Sequence, residues 1–320
     1  MIDKRVENDK MHTFVSIVVY VRNMEKYLGI NLDTIYKTIS QTFKEFEFIL
    51  VDDASDDNSI EVIKAFANKA LETCSIRLIE LGYFHGVESA MQAGHDMAIG
   101  DFIYEFDYVF VDYPPSLIID VYNKVLEGFD IVAAKPKKLK SWQSKIFYKL
   151  INSMLFLDRN TISTESFRVL SRRGLNRVQA ISRRMQYRKL VYESSGLRTT
   201  SIMYSNDTIN NNGYDAQNYK KRKMLAVDTL IVFTDIAYKV SLLFSTLMAV
   251  LMLGFGIYTV IIYFGIRQPV EGWVPIMGLI SAGFFGMFAI LTIIIKYLDI
   301  LIKNVFDRHI YRIRAVNKIK

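Results

Sequence analysis

The residues best suited to chemistry lie in three groups. Asp107 ends the apolar run Phe102 to Phe106, and Asp112 follows just before Pro114 and Pro115. Asp52 and Asp53 end a second apolar run that starts at Phe46, and a polar loop, Ala54 to Ser59, comes next. Arg168 follows Phe167, with Arg172 and Arg173 close behind. Carboxylates at the carboxyl ends of strands can hold a divalent cation, which in turn can hold a diphosphate. They can also accept hydrogen bonds from a nucleobase or ribose. Guanidinium groups bind phosphate oxygens in pairs. Each group also has a plainer reading: buried strands with solvated acidic turns, turn-forming aspartates, and, for Arg172 and Arg173, a solvated cationic face.

The elements that must position these residues alternate. Phe14 to Tyr20 reads as a buried strand, and Met24 to Gln41 has helical spacing. Phe46 to Val51 is a second strand, and Ile60 to Leu71 a helix capped by Asn58 or Ser59. Strand Ile76 to Leu81, helix Gly86 to Gly100, strand Phe102 to Phe106, helix Leu117 to Leu126 and strand Asp130 to Ala134 follow. This alternation predicts an α/β fold, an open parallel sheet covered on both faces. Ligands of such sheets bind beyond the carboxyl ends of the strands. Lysines between Lys135 and Lys149 form a basic stretch, either a solvated face or a segment near a lipid surface.

The C-terminal third has a different character. Residues 240–266 and 274–295 contain no charged residue, and each run suffices for a spanning helix of about 20 residues. A short connector with Pro269 and Gly272 makes them a hairpin, with Tyr263 and Trp273 at its interface. Lysines and arginines flank the hairpin on both sides, whereas the connector holds only Arg267, so both chain ends are expected in the cytoplasm. Residues 216–239 are expected to be a juxtamembrane amphipathic helix, with Lys221 and Arg222 at its start. Residues 1–12 read as a polar tail without a signal peptide's apolar core, and 296–320 as a basic cytoplasmic tail.

Composition agrees with this division. The chain has 320 residues, 51% of them apolar, and a formal charge of +7. Its pI is near 9.2 and its mean hydropathy +0.16. The single cysteine, Cys74, excludes an intrachain disulfide and a cysteine zinc framework. The positive charge lies beside the apolar runs, and no nucleic-acid-binding motif accompanies it, so no nucleic-acid partner is expected.

The motifs resemble those of a family. FILVDDASDDNS is similar to the Val-Asp-Asp-Gly-Ser segment of family 2 glycosyltransferases, and it is the most specific match. VSIVVYVRNMEKYL, HGVESAMQAGHDMAIGD, SFRVLSRRGL and KYLDILIKNVFDRHIYRI resemble further family segments. Together they resemble the bacterial polyisoprenyl-phosphate glycosyltransferases related to dolichol-phosphate mannose synthase. That resemblance covers residues 13–215 as a GT-A domain, a Rossmann-like open sheet, and the hairpin after it. It implies transfer of a sugar from a nucleotide diphosphate sugar to a polyisoprenyl phosphate such as undecaprenyl phosphate. The setting is the cytoplasmic leaflet of a bacterial inner membrane, and the purpose cell-envelope glycan modification.

The resemblance assigns nucleotide contacts to Tyr20, Arg22, Asp52, Asp53 and Asp107. It assigns catalytic roles to Asp107, Asp112 and Arg168, and phosphate or lipid contacts to Arg168, Arg172, Lys221 and Arg222. Asp107 is the expected ligand of Mg²⁺ or Mn²⁺. Relatives can be tetramers, so a homo-oligomer is also among the expectations. His85 is expected to be a loop residue rather than a catalyst.

The sequence departs from the family at several points. Val109 stands where the metal motif has its second aspartate, and Tyr83-Phe84-His85-Gly86 stands where many relatives have Arg-Asn-x-Gly. Three readings follow: a weak metal site, arginine and lysine in the metal's place, or a catalytically degenerate scaffold that binds lipid or a partner. A processive polysaccharide synthase is disfavoured, because no Gln-x-x-Arg-Trp segment occurs.

Overall fold

The computed structural model describes residues 10–70, 74–137, 164–181, 187–205, 273–306 and 311–319, with scattered positions between 242 and 257. The chain divides into two units, residues 1–225 with 309–320, and residues 226–308.

Among the described residues the first unit is built on a sheet of eight strands. In chain order its elements are β1 (Val15–Val21), α1 (Glu25–Thr42), β2 (Phe46–Asp52), α2 (Ser59–Ala70), β3 (Ser75–Leu81) and α3 (Val87–Met97). Then come β4 (Phe102–Phe106), α4 (Leu117–Leu126), β5 (Ile131–Pro136), β6 (Phe167–Ser171), α5 (Arg172–Ile181), α6 (Arg188–Ser194) and β7 (Thr199–Tyr204). Helix α7 (Trp273–Phe306) belongs to the second unit, and β8 (Ile313–Ile319) returns to the first. The strand order is β7-β5-β6-β4-β1-β2-β3-β8.

Strands β1 and β2 are buried along their whole length, as their unbroken apolar sequences require. Side chains of β1 alternate between two apolar clusters: Val15, Ile17, Val19 and Val21 in one, Val18 and Tyr20 in the other. Helices α1, α2 and α4 supply the first cluster, and α3, α5 and α6 the second. Helix α3 reaches the sheet closely only because residue 94 is glycine. A Cβ there would stand 2.3 Å from Val18 Cγ1.

The sheet is mixed, not wholly parallel as the sequence predicts. Strand β6 runs antiparallel to β4 and β5, and β8 antiparallel to β3. Helical spacing identifies βαβ crossovers; the antiparallel partners β6 and β8 are not joined to their neighbours by such units and carry no such signal. The segment 313–319, expected to lie in a basic tail, forms the edge strand β8.

Among the described residues no helix is long and apolar enough to cross a membrane. Most of the first expected span, 240–266, lies outside the described residues, as do Lys221, Arg222 and the expected helix 216–239. The second expected span falls on α7, where Ile276, Phe284, Phe288 and Ile295 are exposed.

Candidate functional site

Strand β1 pairs with β2 on one side and with β4 on the other, all three parallel. The chain therefore reverses its direction of winding at β1. A crevice opens beyond the carboxyl ends at such a point. Tyr20 and Arg22 come to it from β1, Asp52 and Asp53 from β2, and Asp107 from β4.

The first half of the site is a stitched pair of loops. The Asp53 carboxylate is fully buried and accepts from the Tyr20 hydroxyl at 3.1 Å and from the backbone N–H groups of His85 and Gly86, each at 2.7 Å. Arg22 donates to the Asp53 carbonyl at 2.6 Å, to the Ala54 carbonyl and to the Asp56 carboxylate at 3.3 Å. Its guanidinium lies 4.5 Å from the Phe84 ring centre. Asn23 and Ala54, both with positive φ, turn the chain out of β1 and β2. The expected α2 cap is arranged differently: Ser59 Oγ accepts from Met24 N, while the Asp57 carboxylate accepts from Ser59 N and Glu25 N.

Asp52 differs from its neighbour. One oxygen accepts from Ser55 N at 3.1 Å; the other, Oδ1, is buried with no hydrogen-bond partner. Burial raises the pKa of this carboxyl above the ordinary value; the Ser55 contacts oppose the rise, and Asp53 and Glu80 add to it. Asp53 thus braces the loops, and Asp52 keeps a buried oxygen without a hydrogen-bond partner.

The second half is a buried ion network at the end of β4. Strand β6 places Arg168 directly opposite Glu105. Arg168 donates to Glu165 from Nε at 3.0 Å, to Glu105 from Nη1 at 2.6 Å and to Asp107 from Nη2 at 3.0 Å. Arg188, on α6, donates to Glu88 at 2.6 Å, to Glu105 at 3.2 Å and to Asp107 at 2.5 Å. The Tyr192 hydroxyl donates to Glu105 at 2.5 Å, and His95 Nε2 lies 2.6 Å from the same carboxylate. Both arginines are almost wholly buried. Burial pushes the Asp107 carboxyl up, but the Arg168 and Arg188 charges outweigh it and hold the group at about 2. Burial likewise opposes ionisation of Glu105, and Arg188, His95 and Arg168 bring it well below the usual carboxylate range.

The structure brings Tyr20, Arg22, Asp52, Asp53, Asp107 and Arg168 to the carboxyl ends of β1, β2 and β4, at the crevice. Arg168 meets carboxylates there, where the sequence predicts phosphate. Asp112 accepts from the Tyr204 hydroxyl at 2.9 Å, and that hydroxyl lies 2.5 Å from Ser166 Oγ. Arg172 sits at the other end of β4, where it donates to the carbonyls of Gly100 and Ala98 at 2.9 Å. The antiparallel course of β6 explains this: Arg168 faces Glu105 near the crevice, so Ser171 faces Phe102 and Arg172 lies beyond. Sequence reasoning missed Arg188, Glu105, Glu88 and His95. Glu105 and His95 interrupt apolar patterns, a strand and a helix face, which was the available signal.

The residues at Asp107 do not fit a divalent cation. Each Asp107 oxygen already accepts from a guanidinium, and Val109, in the second aspartate's place, is buried. Among the described residues no group of three or more His, Cys, Asp or Glu side chains could hold a metal ion. The expected Mg²⁺ or Mn²⁺ site is therefore not formed by this donor set.

The open mixed sheet, with its crevice beyond the ends of β1, β2 and β4, is GT-A-like. The glycosyl transferase family 2 model matches residues 16–173 of this chain. It is 25% identical over 311 residues to the uncharacterized glycosyltransferase YkcC of Bacillus subtilis, covering 94% of this chain and 93% of that one. An undecaprenyl-phosphate 4-deoxy-4-formamido-L-arabinose transferase of Proteus mirabilis is 34% identical over 142 residues, covering 44% and 43%. The fold matches glucosyl-3-phosphoglycerate synthase of Mycobacterium tuberculosis, solved with Mn²⁺ and uridine diphosphate. The TM-score is 0.52 at 15% identity, over 73% of this chain and 84% of that one.

Proposed function

We propose that the protein transfers a sugar from a nucleotide diphosphate sugar to the phosphate of a polyisoprenol, at the cytoplasmic face of a bacterial inner membrane. One observation carries the choice of acceptor. The chain is similar over 142 residues to a protein named for undecaprenyl phosphate. Its own two uncharged apolar runs support the same reading and a membrane location.

The chemistry asks little of a general base. An oxygen of the acceptor phosphate, already anionic, attacks the anomeric carbon. The bond from that carbon to the diphosphate breaks, and its electron pair leaves with the nucleoside diphosphate. The protein's task is to align two anions and stabilise the leaving group. In this reading Asp52 Oδ1 meets the base or ribose of the donor, and the Arg168–Arg188 pair fixes Asp107 and the field at the end of β4.

A second reading has its own observation. Asp107 and Arg168 satisfy each other and their neighbours, as in a site that has turned from catalysis to structure. Radiolabelled nucleotide sugars, undecaprenyl phosphate and detergent-purified protein separate the two. Glycolipid lost in Asp107→Ala supports transfer. Folded protein that makes no product with any donor, in Mg²⁺, Mn²⁺ or EDTA, supports the scaffold.

A further inference from the structure

The end of the chain reaches the nucleotide half of the crevice. Strand β8 pairs with β3 from Ile76↔Ile319 to Leu81↔Ile313. Past β3 the contact continues into the loop Gly82 to Gly86. Gly82 N donates to the Arg312 carbonyl at 2.9 Å, and Arg312 N donates to His85 Nε2 at 3.0 Å. His85 Nε2 is thus an acceptor, so its proton sits on Nδ1, which donates to the Tyr83 carbonyl at 2.5 Å. The Tyr83 ring stacks on the His85 ring with centres 4.0 Å apart. Tyr311 adds a bond to Asp96 at 2.6 Å, and Asn317 one to Glu80 at 2.8 Å.

The same loop faces Asp53 on its other side. His85 N and Gly86 N are two of that carboxylate's three donors, and Phe84 carries the Arg22 guanidinium. Gly86 has φ of 88°, a turn that a side chain would strain. The loop is therefore gripped between Asp53 and the chain terminus, with His85 bonded to both.

We infer that residues 311–319 are a working part of the donor site: through Arg312 and His85 they hold the loop that braces Asp53, and thereby set the affinity for the nucleotide. His85 and the Arg312 backbone are positioning groups, since they act through Asp53 and touch no substrate in this scheme. The inference rests on the crevice being the donor site.

The test uses the full chain in detergent and three variants. His85→Leu removes the acceptor, Arg312→Pro removes the donor N–H but keeps the carbonyl, and His85→Gln restores an acceptor. Calorimetry with UDP, GDP, CDP and dTDP identifies the nucleotide that binds, and hydrogen exchange follows the amides of residues 82–86. His85→Leu and Arg312→Pro are expected to weaken nucleotide binding about tenfold, the worth of one buried hydrogen bond. They should raise the donor KM with kcat little changed and speed exchange in the loop, and His85→Gln should recover most of both. Unchanged affinity and exchange in all three variants would overturn the inference. If no nucleotide binds the unaltered protein, the donor reading fails. The exchange result still decides whether the terminus holds the loop: faster exchange supports it, and unchanged exchange overturns it.

Discussion

Asp107 and Asp52 end neighbouring parts of one crevice, yet their surroundings push them in opposite directions. Asp107 lies between two guanidinium groups, and its carboxyl is held at about 2, below the ordinary 3.8. A depressed carboxylate stabilises the fold fully above the ordinary value, and that stabilisation disappears as pH falls through about 2. The difference corresponds to roughly 2 kcal/mol. Thermal melts between pH 5 and pH 2 should therefore fall steeply in the unaltered protein and less steeply in Asp107→Asn. Removing Arg188 leaves Glu105 and Asp107 buried with one cation fewer. Arg188→Met is expected to cost about 3–5 kcal/mol in denaturant melts. Asp52 has the opposite sign: its raised pKa means that the charged form costs stability above the ordinary value. Asp52→Asn should raise the melting temperature while weakening nucleotide binding, measured by calorimetry. A variant both less stable and equally tight in binding would remove Asp52 from the site.

At the scale of elements, the crevice depends on how closely α3 and the turn into β4 approach β1. A Cβ on residue 100 would lie 2.5 Å from the backbone nitrogen of Ser16. Backbone cannot move aside as a flexible side chain can. Gly100→Ala is expected to destabilise the protein by about 1–3 kcal/mol, read from urea melts. Arg172 secures the same turn through the carbonyls of Gly100 and Ala98. Loss of activity in Arg172→Ala should therefore come with a lower melting temperature, rather than with a changed affinity for phosphate. The periodic elements were legible in the sequence. From β1 to β5 every expected strand and helix is present, because burial of an apolar face imposes a period on the chain. Strands β6 and β8 were not legible as partners. Their neighbours, β4 and β3, are distant in sequence, and pairing between distant segments leaves no local pattern.

For the whole molecule, the chain leaves the first unit after residue 225 and returns to it at residue 309. The last strand then closes the β3 edge, and edge strands left open invite other pairing. The sequence by itself determined the α/β class, the two apolar runs and the presence of Asp52, Asp53 and Asp107 at strand ends. Each follows from composition or short-range spacing, which the chain carries locally. Only the tertiary structure decided which of these buried groups are paired. It gave Asp53 three donors, left Asp52 Oδ1 without one, and set Arg168 and Arg188 against Asp107. Those pairings join residues dozens to more than eighty positions apart. Long-range strand register and helix packing bring them together, and a buried charge is stable only where such a partner arrives.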